Sequence, residues 1–182
     1  GRLRVFVGMA ASDTLAPEHA DAFDFFGYAA GGAHRALAQA GVLDILPSHY
    51  SHLPELVRSG VLAADVVLLQ VSPPDEQGRY SLGLAQEYLP AAIERARAVV
   101  GEVNPAVPWT HGGLHLRSSD FALLVDAEHP PLETSRSAPG PVEQAIARHI
   151  AGLVQDGATL QLGVGNLPEA VLSALHGHRD LG

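Results

Sequence analysis

The chain has 182 residues, 47% hydrophobic and 17% charged, which is enough apolar material for a sizeable core and too little charge for a disordered segment. A net charge of −9 argues against a nucleic-acid surface, which needs a basic stripe, and the absence of cysteine removes disulfides, thiolate metal sites and cysteine nucleophiles together. All 11 basic residues are arginine, which a composition biased by the genome explains more simply than a set of phosphate grips. No stretch of about 18 uncharged apolar residues exists to form a transmembrane helix, and the N-terminus lacks the apolar region of a secretion signal. A soluble, cytoplasmic protein is expected, with no membrane or nucleic-acid partner.

In chain order, strands are predicted at Val5–Val7 and Ala22–Tyr28, a helix at Ala33–Ala40 stopped by Gly41, and a strand at Val42–Leu46 closed by Pro47. Leu53–Arg58 reads as a short helix ended by Gly60. Asp65–Val71 is a continuous apolar run, the pattern of a strand buried on both faces. After the polar loop Ser72–Ser81 come a helix at Ala85–Ala96 and strands at Ala98–Val103 and Phe121–Val125. Short apolar strands alternating with single helices indicate an α/β layered fold, a mainly parallel sheet with flanking helices.

Residues 129–141 hold four prolines and no apolar period, so they read as a linker or surface crossing. Residues 1–128 form one α/β domain on this reading. Beyond the linker, Val142, Ala145, Ile146, His149, Ile150 and Leu153 recur at helical spacing in a helix expected to end near Asp156-Gly157. A strand at Ala158–Leu162, the loop Gly163–Pro168 and a helix at Glu169–Leu175 follow. A single strand cannot form a sheet, so residues 142–182 must join the earlier sheet or await further strands. The chain reads as cut inside a fold.

The strongest local chemical signal is Gly163-Val-Gly-Asn-Leu-Pro168, placed where a strand turns into a helix. Gly163 and Gly165 permit tight turning and close approach of a ligand, and the amides from Val164 to Leu167 would face an anion at the helix N-terminus. Asn166 is a candidate cap and Pro168 suits the first turn. Spacing alone leaves open a simpler role, in which the glycines only let strand and helix pack. Pro168 replaces the third glycine of a dinucleotide fingerprint and no acidic residue follows at the required distance, which disfavours nicotinamide binding.

A second signal is the loop Gln70–Gly83, at the end of a parallel strand where open α/β sheets place ligands. Asp75 and Glu76 are a candidate carboxylate pair, although adjacent residues diverge and Pro73-Pro74 favours a rigid structural turn. The histidine pairs His49/His52, His111/His115 and His176/His178 have no diagnostic metal spacing, so no metal site is expected. Ser81 lacks the elbow of a serine hydrolase.

Three segments resemble the acetyl-CoA hydrolase/CoA-transferase family, which includes 4-hydroxybutyrate CoA-transferases. They are Ala64–Gly83, then Glu102-Val-Asn-Pro with Pro108-Trp-Thr-His-Gly112, then Asp156–Leu175 with Asp180-Leu-Gly182, in order over at least Val42 to Gly182. The resemblance implies an enzyme of two similar α/β domains, with acyl-CoA and a short carboxylic acid as substrates. A glutamate attacks the thioester, and the resulting glutamyl-CoA is resolved by a carboxylic acid in a transferase or by water in a hydrolase. It implies coenzyme A contacts at Gly163, Val164, Gly165, Asn166 and Leu167, and a homo-oligomer, commonly a dimer. The family's glutamate falls a few residues beyond Gly182. Neither Glu102 nor Glu169 matches it, so no catalytic residue is expected within these 182.

Departures from the family pattern are Asn166 for a small residue, Glu169 for Asn or Asp, Gln77 for a frequent histidine and Trp109 for a frequent arginine. The last puts an anion contact at that loop in doubt. The alternative is a stand-alone module that binds coenzyme A or a nucleotide without chemistry.

Overall fold

The computed structural model describes every residue except 9–11, 13, 85 and 134–137, and the side chain of Ala33. Two compact units emerge, Gly1–Glu133 and Thr134–Gly182. In the first, β1 (Leu3–Phe6), β2 (Phe23–Gly27) and β3 (Leu43–Ile45) pair in that order, all parallel, with α1 (Arg35–Gln39) between the last two. Phe25 and Leu37 are fully buried and close a small core with Val7, so β2 and α1 hold each other through one apolar face each. The predicted helix at Ala33–Ala40 is therefore real, although its first turn, Gly32–His34, is a 3-10 helix.

The next elements are α2 (Leu53–Arg58), β4 (Val66–Val71), β5 (Arg79–Ser81), α3 (Leu89–Arg95), β6 (Ala98–Val103), β7 (His115–Arg117) and β8 (Leu123–Asp126). A second three-stranded parallel sheet has the order β4–β6–β8, and β5 pairs antiparallel with β7. The α/β class with mainly parallel pairing and flanking helices is as the sequence indicates, but the strands divide into two parallel sheets and a ribbon. Leu53 and Val57 of α2 and Ala91 and Ala92 of α3 are buried in the same cluster as Val67, Leu69, Val71 and Val99. Gly101 sits in β6 because a Cβ there would fall 2.6 Å from the Phe121 ring and 2.8 Å from Leu124.

Several expectations are corrected. β4 is not buried on both faces: Val67, Leu69 and Val71 enter the core, while Val66 and Leu68 point outward and Leu68 is 74% exposed. An uninterrupted apolar run cannot reveal this, because helices cover only one face of that sheet within the unit. The loop Ser72–Ser81 ends in β5, whose short polar sequence carries no strand signal and is fixed by its partner β7. Residue 85, where the helix was expected to begin, lies outside the described residues. Helix α3 starts only at Leu89, with Pro90 in its first turn and Glu87 just before it at φ +48°.

In the second unit α4 (Pro141–Ala151) packs on α5 (Asn166–Ala174). Here the apolar period located the helix but not its buried face. Ala147 and Ala151 are the buried residues, in a cluster with Ala170, Val171 and Leu175, while Val142, Ile146, Ile150 and Leu153 are exposed. Small alanines permit close helix–helix approach that the longer side chains would prevent. The helix also ends at Ala151, before Gly152 and well short of Asp156. Residues 158–162 enter no ladder. Their backbone is instead bracketed by Gly182, whose amide donates to Ala158 O and whose carbonyl accepts from Leu160 N (3.1 and 2.7 Å). One residue gives two bonds, too few for a strand.

Candidate functional site

The loop 163–167 leads directly into α5. Gly165 is the residue that caps the helix, at φ +139° and ψ 174°, a backbone state open in practice only to glycine. The predicted cap, Asn166, is instead the first helical residue, and Gly165 holds the cap position. Glu169 N donates to Gly165 O at 3.2 Å, which closes the first turn. Pro168 lies in that turn, where an amide would lack an intrahelical acceptor in any case, so the ring costs no hydrogen bond. Gly163, Val164, Gly165 and Asn166 are exposed and Leu167 is half-buried. A Cβ added at Gly163 would meet nothing within 4 Å, so the space beside it is open. The segment thus combines an exposed glycine backbone with a helix N-terminus, a combination suited to a phosphate or carbonyl oxygen.

In the other unit the loop Gln70–Gly83 is held from within. Asp75 Oδ1 accepts the amides of Gln77 and Arg79 (3.0 and 2.8 Å), and Oδ2 accepts from Arg79 Nε and Nη2 (2.8 and 2.7 Å). Desolvation pushes the Asp75 carboxyl upward, but these hydrogen bonds outweigh it and hold the group below the ordinary carboxylate range. Asp75 is therefore committed to the turn, and the pairing with Glu76 considered from the sequence does not form a two-carboxylate site. Arg79 lies over the Trp109 ring at 5.8 Å, and the His115 ring stacks on Trp109 at 4.9 Å and 6°. Trp109, the departure from the family's arginine, thus fills a layered stack with its neighbours.

Two of the singled-out segments meet at Ser81, which is 1% exposed. Its Oγ accepts the amides of Gly83 and Thr110 (3.1 and 3.2 Å) and lies 3.0 Å from Thr110 Oγ1, which donates to Gly83 O at 2.8 Å. Thr110 carried no signal of its own in the sequence, because its partner is 29 residues away. Gln70 and Glu102 are register neighbours on β4 and β6, and Gln70 Nε2 donates to Glu102 Oε2 at 2.9 Å. Glu102 Oε1 also faces His129 Nε2 at 3.3 Å. Asn104, fully buried, accepts Ala106 N on Oδ1 and donates through Nδ2 to His129 O, so it organises the turn after β6.

Two of the histidine pairs make local contacts. His49 and His52 meet edge to face, and His176 Nδ1 and His178 Nε2 lie 2.6 and 3.1 Å from the carbonyls of Ser173 and Val154. Among the described residues no group of three His, Asp or Glu side chains is placed to hold a metal ion, and no helix is long and apolar enough to cross a membrane. Tyr28, Tyr50 and Tyr88 form an aromatic cluster that the sequence did not single out, since they come from three segments with no common spacing.

The N-terminal domain of the acetyl-CoA hydrolase/transferase family matches residues 2–126. A 4-hydroxybutyrate coenzyme A transferase from Clostridium kluyveri is 41% identical over 152 residues, which are 84% of this chain and 35% of that protein. Among solved structures, RipA from Yersinia pestis superposes with a TM-score of 0.91 at 30% identity, covering 99% of this chain and 44% of RipA. A 4-hydroxybutyrate CoA-transferase from Porphyromonas gingivalis gives 0.70 at 35% identity, covering 100% and 49%. The chain spans about a third of the length of the curated relatives it matches. Over the portion present here, the chain belongs to the acetyl-CoA hydrolase/transferase family.

Proposed function

We propose that the chain is the N-terminal portion of an enzyme that moves coenzyme A between carboxylic acids, or to water, and that the backbone of Gly163, Val164, Gly165, Asn166 and Leu167 holds coenzyme A. Residues 1–128 are then the N-terminal domain, 129–141 the crossing, and 142–182 the unit that carries the coenzyme A loop. The covalent step runs through a glutamyl-CoA thioester whose glutamate lies beyond Gly182, so these 182 residues bind without turning over. The full protein acts on acyl-CoA and a short carboxylic acid, as a cytoplasmic homo-oligomer, most simply a dimer.

The observation that supports the loop assignment is the open space at Gly163 beside a helix N-terminus whose capping residue only glycine can supply. Exposed amides there satisfy an anionic or carbonyl oxygen without a cation, which suits a chain of net charge −9. The open space also makes a clean test. Gly163→Val places its Cβ where nothing lies within 4 Å in the free protein, so thermal stability should be nearly unchanged. Calorimetric titration with coenzyme A should then show at least a ten-fold loss of affinity relative to the unaltered chain. Equal affinity in the two proteins would remove the loop from the site.

A further inference from the structure

Each of the two parallel sheets has two outer strands, and the helices fix which of them face each other. Val7 and Phe25 share a core with Leu37, so α1 covers that face of the first sheet. Phe6 and Phe26 stand on the opposite face by strand alternation, and pack in the cluster that holds Leu53 of α2 and Ala91 of α3. Crossovers between parallel strands are right-handed. Because α1 and α2 lie on opposite faces, the step from β3 to β4 must run opposite to the step from β2 to β3. This places β4 on the β1 side of the first sheet. Helix α3, on the same face as α2, carries the chain onward to β6, in agreement with the order β4–β6–β8. The strands therefore run β3–β2–β1, a break, then β4–β6–β8. Among the described residues no ladder joins β1 to β4.

Both strands at the break carry unused backbone groups. The amides of Leu3 and Val7 donate to Ala22 O and Phe26 O along β2, so those of Arg4 and Phe6 face the break. Ala98 N and Asn104 N donate to Asp65 O and Val71 O, so the odd-numbered residues of β4 face β6. Val66, Leu68 and Gln70 then present their amides and carbonyls to the break. Unpaired rows of this kind are a template on which a further strand pairs. The side chains point the same way. Leu3, Val66 and Leu68 are apolar, border the break and are exposed. By alternation all three stand on the α1 side, away from the core shared by the two sheets.

We propose that a strand of the same polypeptide, N-terminal to Gly1, fills this break in parallel with β1 and β4 and joins the two sheets into one. The chain order favours an occupant that precedes β1. The inserted strand, β1, β2 and β3 then advance in one direction, with strands consecutive in sequence adjacent in space. A right-handed crossover from the inserted strand to β1 falls on the α1 side, over the exposed Leu3, Val66 and Leu68. The connection from β1 to β2 already runs on that side, where Leu15 and Ala20 meet the same core as Leu37. The chain spans about a third of the length of its curated relatives, which leaves ample polypeptide to supply the strand. Coenzyme A plays no part in this, so the outcome is separable from that of the loop 163–167.

Residue-resolved amide exchange on the unaltered full-length protein reads the pairing directly. The amides of Arg4, Phe6, Val66, Leu68 and Gln70 should exchange as slowly as those of Val67 and Leu69, which face β6. Exchange on the order of 100-fold faster at these positions overturns the proposal. A benzophenone amino acid in place of Leu68, in the same full-length protein, then identifies the occupant. Photolysis followed by mass spectrometry should join position 68 to a peptide that precedes Gly1. A product with residues after Gly182, a product between two differently labelled copies of the chain, or no product at all would each refute the assignment.

Discussion

Replacement of Ser81 by alanine removes one oxygen that serves three partners. The Gly83 and Thr110 amides lose their acceptor, and Thr110 Oγ1 loses a neighbour at 3.0 Å, in a site that is 1% exposed. A donor stranded away from water costs about 1–3 kcal/mol. Two such donors set the expected loss at roughly 2–4 kcal/mol, since the Thr110 amide is only partly buried and recovers some solvation. For a unit of this size, 1 kcal/mol corresponds to about 3–5 °C in melting temperature, so a fall on the order of 10 °C is expected. Urea unfolding followed by Trp109 fluorescence measures it directly, because that ring lies beside Thr110. Ser81→Thr keeps the oxygen and should recover part of the loss. A Ser81→Ala loss below about 0.5 kcal/mol would show that the Gln70–Gly83 loop does not depend on this node.

Asp75 titrates below the ordinary carboxylate range when folded, so the unfolded chain takes up its proton first. Its contribution is present above about pH 4 and is lost as pH falls through the folded value. Urea midpoints measured between pH 2 and 6 should therefore fall less steeply in Asp75→Asn than in the unaltered chain. Gly101→Ala drives a methyl into Phe121 and Leu124 and should cost about 1–3 kcal/mol, whereas Gly163→Ala meets nothing and should be within about 0.5 kcal/mol of neutral. Differential scanning calorimetry that ranks the two glycines equally would contradict the packing described. In the second unit Ala147→Leu should loosen the α4–α5 contact by about 1–3 kcal/mol, measured by helical circular dichroism on urea titration, while Ile150→Gln on the outward face should change little.

The α/β class was legible because apolar runs such as Val66–Val71 and Ala98–Val103 are bounded by glycine, proline and polar turns, and α2 was read at its observed limits. What the sequence could not show is which face of an element meets a partner. Leu68 and Leu153 carry the same apolar character as Leu69 and Leu175, and only the placement of neighbouring elements makes two of them core and two of them surface. β5 and β7 were invisible for a related reason: Arg79–Ser81 and His115–Arg117 have no period, and each is a strand only because the other is opposite. At the candidate loop, the glycine pattern located the helix entrance, while the capping role passed from Asn166 to Gly165 because the backbone there turns to φ +139°. The Ser81–Thr110 node and the three-tyrosine cluster were beyond reach, since each joins segments far apart in the chain.

The parallel pairings have a consequence for how the two units acquire their structure. Val66 meets Ala98 across β4 and β6, and Val100 meets Leu123 across β6 and β8, so each register closes only after an intervening loop of about twenty to thirty residues has been drawn in. The α4–α5 pair closes over a much shorter connection, Gly152–Gly165. Rates fall as contacting residues become more distant in sequence. In refolding from urea, helical signal from residues 141–174 should return in a fast phase, and the environment of Trp109 in a slower one. On the ribosome the order reverses, since the first 133 residues emerge seconds before α4 and α5 exist.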